Sequence, residues 1–149
     1  MIDGIVPIVA TTYPDEHLLK GYFASMERFR HEFSDCLLFP AHGKHITDPK
    51  RVVGRIVFSY LDKMEIVHNI LEHSRRPKTI REIASIAYGM PQLPKDTDEF
   101  IKLKMVMSKC FSCLEYLRDE DFAVREEKKR YFFTGDHNCK KKSKSSSEK

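Results

Sequence analysis

Two short segments carry residue types that could do chemistry. The first is Leu38-Phe39-Pro40-Ala41-His42-Gly43-Lys44-His45, where an apolar run feeds a histidine and a glycine. A neutral imidazole at the end of a strand makes a good zinc ligand, and the glycine after it lets the backbone turn away close to a metal. Zinc takes about four ligands, so His42 alone reads either as a polar loop residue or as one member of a larger set. The second segment is Cys110-x-x-Cys113. Zinc held by this pair with His42 and His45 would match in ligand type. However, no second local pair has finger-like spacing, and the two cysteines lie at i and i+3 of an apolar helical pattern, which favours core packing.

Positioning His42 falls to the elements on either side. Ile5-Val6-Pro7-Ile8-Val9 is short and β-branched and predicts a strand, with Pro7 at an edge or bulge. Asp15 is the expected N-cap of a helix from about Glu16 to Phe33, with Leu18, Tyr22, Met26, Phe29 and Phe33 on one stripe, joined by Leu19 and Phe23. Cys36-Leu37-Leu38-Phe39 is a continuous apolar run ended by Pro40 and predicts a buried strand leading into the histidine loop.

A different pattern begins after Asp48-Pro49. Val53, Ile56, Val57, Tyr60, Met64, Val67 and Leu71 recur at three and four and predict a long helix ending near Arg75-Arg76-Pro77, where the cations suit the helix dipole. Thr79 and Glu82 form a capping box for a shorter helix closed by Tyr88-Gly89. A third helix is expected from near Asp98, with Phe100, Leu103, Met107, Cys110, Phe111, Leu114 and Leu117 inward and Lys102, Ser108, Lys109, Ser112 and Glu115 outward. Phe122 to Arg125 and Arg130 to Phe133 then read as a hairpin around Glu126 to Lys129. Helix, helix, helix and hairpin within about 80 residues is the layout of a winged helix, and a stretch this long can bury a core of its own.

The expected fold class is thus mostly α with short β. The expected domains are an αβ segment over residues 1–50, a winged helix over 51–133 and a disordered basic tail over 134–149. With 41% hydrophobic and 32% charged residues in 149, the chain can bury one sizeable core or two small ones. No apolar run approaches the ~20 residues of a membrane span, and no signal-peptide pattern opens the chain. The expectation is a soluble cytoplasmic protein, with the mitochondrion and nucleus as alternatives. Cys36, Cys110, Cys113 and Cys139 do not space like a disulfide scaffold, so reduced thiols are expected.

The net charge of +4 equals that of the last ten residues alone, which hold five lysines against Glu148. Such a tail solubilises, or adds a screened attraction to nucleic acid or acidic membranes. The third helix is nearly balanced, with Lys102, Lys104, Lys109 and Arg118 against Asp98, Glu99 and Glu115. Duplex DNA therefore has weak support. Single-stranded RNA, drawing on the tail with Lys128 and Lys129, or a protein partner fits better.

From Ile5 to Phe133 the sequence resembles the C-terminal part of the metallo-β-lactamase superfamily, in the group of β-lactamase-like protein 2. Tyr22-Phe23-Ala24-Ser25-Met26-Glu27-Arg28-Phe29 stands where that group has Tyr-x-x-Ser-Leu-x-Arg-Leu, and Leu38-Phe39-Pro40-Ala41-His42-Gly43 where it has Leu-x-Pro-Gly-His-Gly. Glu65-Ile66-Val67-His68-Asn69-Ile70-Leu71, Thr79-Ile80-Arg81-Glu82-Ile83 and Leu114-Glu115-Tyr116-Leu117 resemble motifs of its appended winged helix. Departures include Ala41 for the family's glycine and Tyr60-Leu61 for His-Arg.

The resemblance implies a zinc-dependent hydrolase of a phosphodiester such as RNA, an ester or a thioester, working through two metals. It assigns a metal-ligand role to His42 alone and leaves His45 a surface residue. The family's His-x-His-x-Asp-His does not occur in these residues, so the expectation is a shortened form without activity of its own, completed by a missing catalytic segment or another partner. Thr134-Gly135-Asp136-His137 spells a family metal motif, but it follows the hairpin and not an apolar core strand, so it is read as coincidental.

Overall fold

The computed structural model describes residue 9 and residues 16–40 and 44–135. The predicted strand over 5–9, His42, Cys139 and the basic tail therefore lie outside the described residues, Val9 excepted; the first helix starts at Leu18 behind His17, a left-handed N-cap with no side-chain cap bond, and not behind Asp15 as expected. Four helices and one hairpin follow in order: α1 (Leu18–Glu32), α2 (Pro49–Glu72), α3 (Ile80–Tyr88), α4 (Thr97–Asp119), β1 (Val124–Glu127) and β2 (Arg130–Phe133). None of the described helices is long and apolar enough to cross a membrane.

Local chemistry sets the helix ends. Asp48 caps α2 by accepting the Arg51 N–H, and Pro49 follows at a position that needs no donor. The capping box at α3 forms as expected: the Thr79 hydroxyl accepts the Glu82 N–H at 3.3 Å, and the Glu82 carboxylate accepts the Thr79 N–H at 2.8 Å. These bonds, with Arg76 alongside, hold the Glu82 carboxyl below its ordinary range. Gly89 closes α3 at φ 61°, a left-handed conformation that glycine adopts without steric cost. α4 begins slightly earlier than expected, capped by Asp96, which accepts the Glu99 N–H at 2.8 Å.

Val53, Ile56, Tyr60, Met64, Val67 and Leu71 bury the predicted stripe of α2. They meet Ile83 and Ala84 of α3, Cys110, Cys113, Leu114 and Leu117 of α4, and Val124 and Tyr131 of the hairpin in one core. Leu19 of α1 joins the same core. Phe23 sets its ring edge-on to Tyr60 and Tyr116, at 6.0 and 5.3 Å between centroids. At its start, α1 is tied to the end of α4 by His17 to Asp119 at 2.5 Å and Lys20 to Glu120 at 2.7 Å.

The hairpin turns on Lys128 and Lys129, both left-handed at φ 50° and 61°, so β1 lies two residues nearer the turn than predicted while β2 is where the sequence puts it. Lys78, in the segment joining α2 to α3, pairs antiparallel with Tyr131 through bonds of 2.9 and 2.8 Å. The connection is thereby stitched to the open edge of β2.

Three further expectations are corrected. Cys36 to Phe39 is not a buried strand: Leu38 makes a lone bridge to Ile46, while Leu37 and Phe39 are 52% and 78% exposed. One pair of backbone bonds provides no sheet face to cover them. On α4, Phe100 is 48% exposed, whereas Ser112 and Glu115, expected outward, are buried. α4 packs against α1, α2, α3 and β1, so its buried surface wraps wider than one stripe. On α1 the inward face centres on Leu19 and Phe23, leaving Leu18 and Phe33 exposed.

Candidate functional site

The approach to the histidine loop is built from its two ends. Leu38 and Ile46 exchange backbone bonds at 3.0 and 2.9 Å, pinning the chain before and after residues 39–45. His45 lies exposed on the returning side with its ring 6.4 Å from that of Phe39, as the surface role expected of it requires. His42 itself falls outside the described residues. Among the described residues no three His, Cys, Asp or Glu side chains come together as a metal site.

Cys110 and Cys113 are both fully buried in the core between α2, α3 and α4, as their helical spacing favours. Burial pushes each thiol up to about 12, opposed by the nearby Lys109 and Lys63 ammonium groups. Zinc takes about four ligands, and no third His, Cys, Asp or Glu side chain joins this pair among the described residues. The described residues therefore do not fit a zinc ion.

The same shift predicts a pH dependence. An unfolded thiol ionises near the ordinary value of 9.0, while the folded one resists to about 12, so the folded state is favoured in full below pH 9 and loses that advantage as pH rises toward 12. Alkaline melts should show a fall across that window that is reduced in Cys110→Ala/Cys113→Ala. At pH 8, iodoacetamide should modify the exposed Cys36 while sparing Cys110 and Cys113 until the protein unfolds. Rapid labelling of the buried pair would show that this part of the core opens.

Two buried polar groups escape the sequence reading. The Tyr60 hydroxyl accepts the Val9 N–H at 2.6 Å, and the Ser112 hydroxyl donates to the Val9 carbonyl at 2.8 Å. Together they satisfy both backbone groups of Val9 and hold it between α2 and α4. Burial raises the Tyr60 phenol to about 12. Serine on a polar-looking helix position gives no sign of this, because its partner is a main chain 103 residues away.

A concavity of about 280 Å³ opens beside this core, lined by Leu61, Met64, Glu65 and His68 of α2, Tyr116 and Leu117 of α4, and Phe122. His68 stands edge-on to Phe133 at 5.1 Å. The lining is apolar apart from Glu65 and His68, and two such groups do not make a metal site.

Solved structures of this architecture exist. A metallo-β-lactamase family protein of Thermus thermophilus matches with a TM-score of 0.68 and 21% identity, over 89% of this chain and 39% of its own. A β-lactamase domain protein of Burkholderia ambifaria matches at 0.69 and 18% identity, over 85% of this chain and 37% of its own. The chain shares the fold of a portion of each of these proteins. It spans under two fifths of the length of either protein. No protein-family model and no curated protein matches the sequence.

Proposed function

We propose that this chain is the C-terminal portion of a zinc-dependent hydrolase of the metallo-β-lactamase fold. In this reading residues 1–50 are the end of the catalytic fold with the His42 loop, residues 51–133 a winged helix, and residues 134–149 a basic tail. The observation that carries it is the likeness over 89% of this chain to a protein of which it covers only 39%. The run α2, α3, α4 and hairpin, with Lys78 pairing to Tyr131, supports the winged helix. The motifs around Tyr22, His42 and Thr79 support the group of β-lactamase-like protein 2.

Zinc in the intact enzyme would activate water for attack on a phosphodiester, ester or thioester. Only His42 corresponds to a ligand of that family here, so no catalytic step is assigned to this chain by itself. The test is metal analysis and bis-p-nitrophenyl phosphate hydrolysis by the purified chain with added zinc. Neither stoichiometric zinc nor turnover is expected. Tightly held zinc that disappears in His42→Ala would overturn the inactive-alone reading. A His-x-His-x-Asp-His encoded in frame upstream of Met1 would support the hydrolase directly.

A second reading, a winged-helix module for nucleic acid or protein, is favoured by the cations that the α2–α3 junction brings beside the hairpin.

A further inference from the structure

We infer that the exposed face of α2 is a two-fold contact through which a second copy of this chain binds, with the two α2 helices antiparallel. The inference goes beyond the hydrolase reading and uses neither the histidine loop nor the cations beside the hairpin. The inward stripe of α2, from Val53 to Leu71, is taken up by the core. A second stripe runs along the outside, where Arg51, Gly54, Phe58, Leu61, Glu65 and His68 recur at alternating steps of three and four. That spacing is the seam of a paired helix.

Phe58 and Leu61, at the middle of this stripe, are 71% and 49% exposed, and Arg51, Gly54 and Glu65 are exposed as well. The apolar surface continues beyond the helix, because Leu61, Glu65 and His68 also wall the concavity that Tyr116 and the half-exposed Phe122 close on its far side. Single apolar residues are ordinary on a surface, whereas a contiguous patch marks a contact. Gly54 points the same way. Glycine inside a helix costs stability relative to alanine, and a side chain at this position would meet nothing within 4 Å among the described residues. No close approach within the chain therefore accounts for it, but an approach from outside does.

Charge fixes the direction and the partner. Neither the Arg51 guanidinium nor the Glu65 carboxylate is held in an ion pair among the described residues. Two parallel copies would set Arg51 against Arg51 and Glu65 against Glu65. Turned antiparallel about a two-fold axis between Phe58 and Leu61, each copy sets its Phe58 against Leu61 of the other and its Glu65 over Gly54 of the other, with Arg51 three residues beyond and within reach of that carboxylate. The face is thus its own complement. It is apolar at the centre, oppositely charged at both ends, and the glycine leaves the room that the acid takes.

The test is sedimentation equilibrium of the full chain over roughly 5–200 µM, the range in which a small two-fold contact forms. The mass should rise with concentration from 17.5 kDa toward twice that value. Phe58→Asp should weaken association at least about tenfold, as when a central apolar anchor is lost from an interface. Because Phe58 is exposed, the thermal melt of this variant at the lowest concentration should match wild type, which separates loss of contact from loss of fold. Arg51→Glu and Glu65→Arg should each weaken association about three- to tenfold, and the two together should restore it to within about threefold of wild type, since the charges have then changed places across the contact. The monomer mass at every concentration would overturn the inference. So would association that Phe58→Asp leaves unchanged, or a charge-swapped double variant no tighter than either single one.

Discussion

Replacing Tyr60 by alanine is expected to lower stability by roughly 3–5 kcal/mol, the range for removing a buried aromatic side chain. Tyr60 is fully buried at the middle of α2, with Tyr22 and Phe23 edge-on at 6.0 Å each and the Lys109 ammonium 4.8 Å from its ring centre. Its hydroxyl also accepts from Val9. The substitution removes the ring that α1 packs upon as well as the acceptor of the Val9 N–H. Tyr60→Phe separates the two effects, because it keeps the ring and loses a hydrogen bond worth about 1 kcal/mol. Urea unfolding of the three proteins checks this. A loss below about 1.5 kcal/mol for alanine would show that the site collapses around the missing ring.

Leu114→Ala should cost about 2–5 kcal/mol, whereas Leu114→Met should cost less than about 1.5 kcal/mol, because volume and apolarity are conserved. Leu114 is fully buried at the inner face of α4 within the core shared by α2, α3 and the hairpin. The two sites test the proposed boundary at residue 50 differently. In a chain of residues 51–133 the partners Tyr22, Phe23 and Val9 are gone, so Tyr60→Ala should cost less than in the full chain. Leu114→Ala should cost the same in both, provided the shorter chain melts cooperatively. A broad melt of residues 51–133 would show that α1 is part of the same cooperative unit.

The helices from residue 49 onward are legible in the sequence because each carries its own instructions. Periodic apolar residues in α2, the Thr79–Glu82 box and Gly89 act within a few positions of one another, so no distant contact is needed to read them. Cys36 to Phe39 failed for the opposite reason. A continuous apolar run satisfies both a buried strand and an exposed connection, and only the presence of a neighbouring sheet decides between them. Ser112 and Glu115 failed because polarity marks a residue as outward only while one side of its helix is covered.

By itself, the sequence determined that residues 49–133 form three helices and a hairpin and that Cys110 and Cys113 face inward. Those conclusions rest on spacing and residue type along one stretch of chain. The tertiary structure alone decided that α1 shares the core of the later helices, that Tyr60 and Ser112 grip Val9, and that Arg75 to Arg81 lie beside Lys128 to Arg130. Each of these joins residues about 50 or more positions apart, or meets the core through a face that no local period reveals. Their energies come from burial and hydrogen bonds that exist only once the chain has closed on itself.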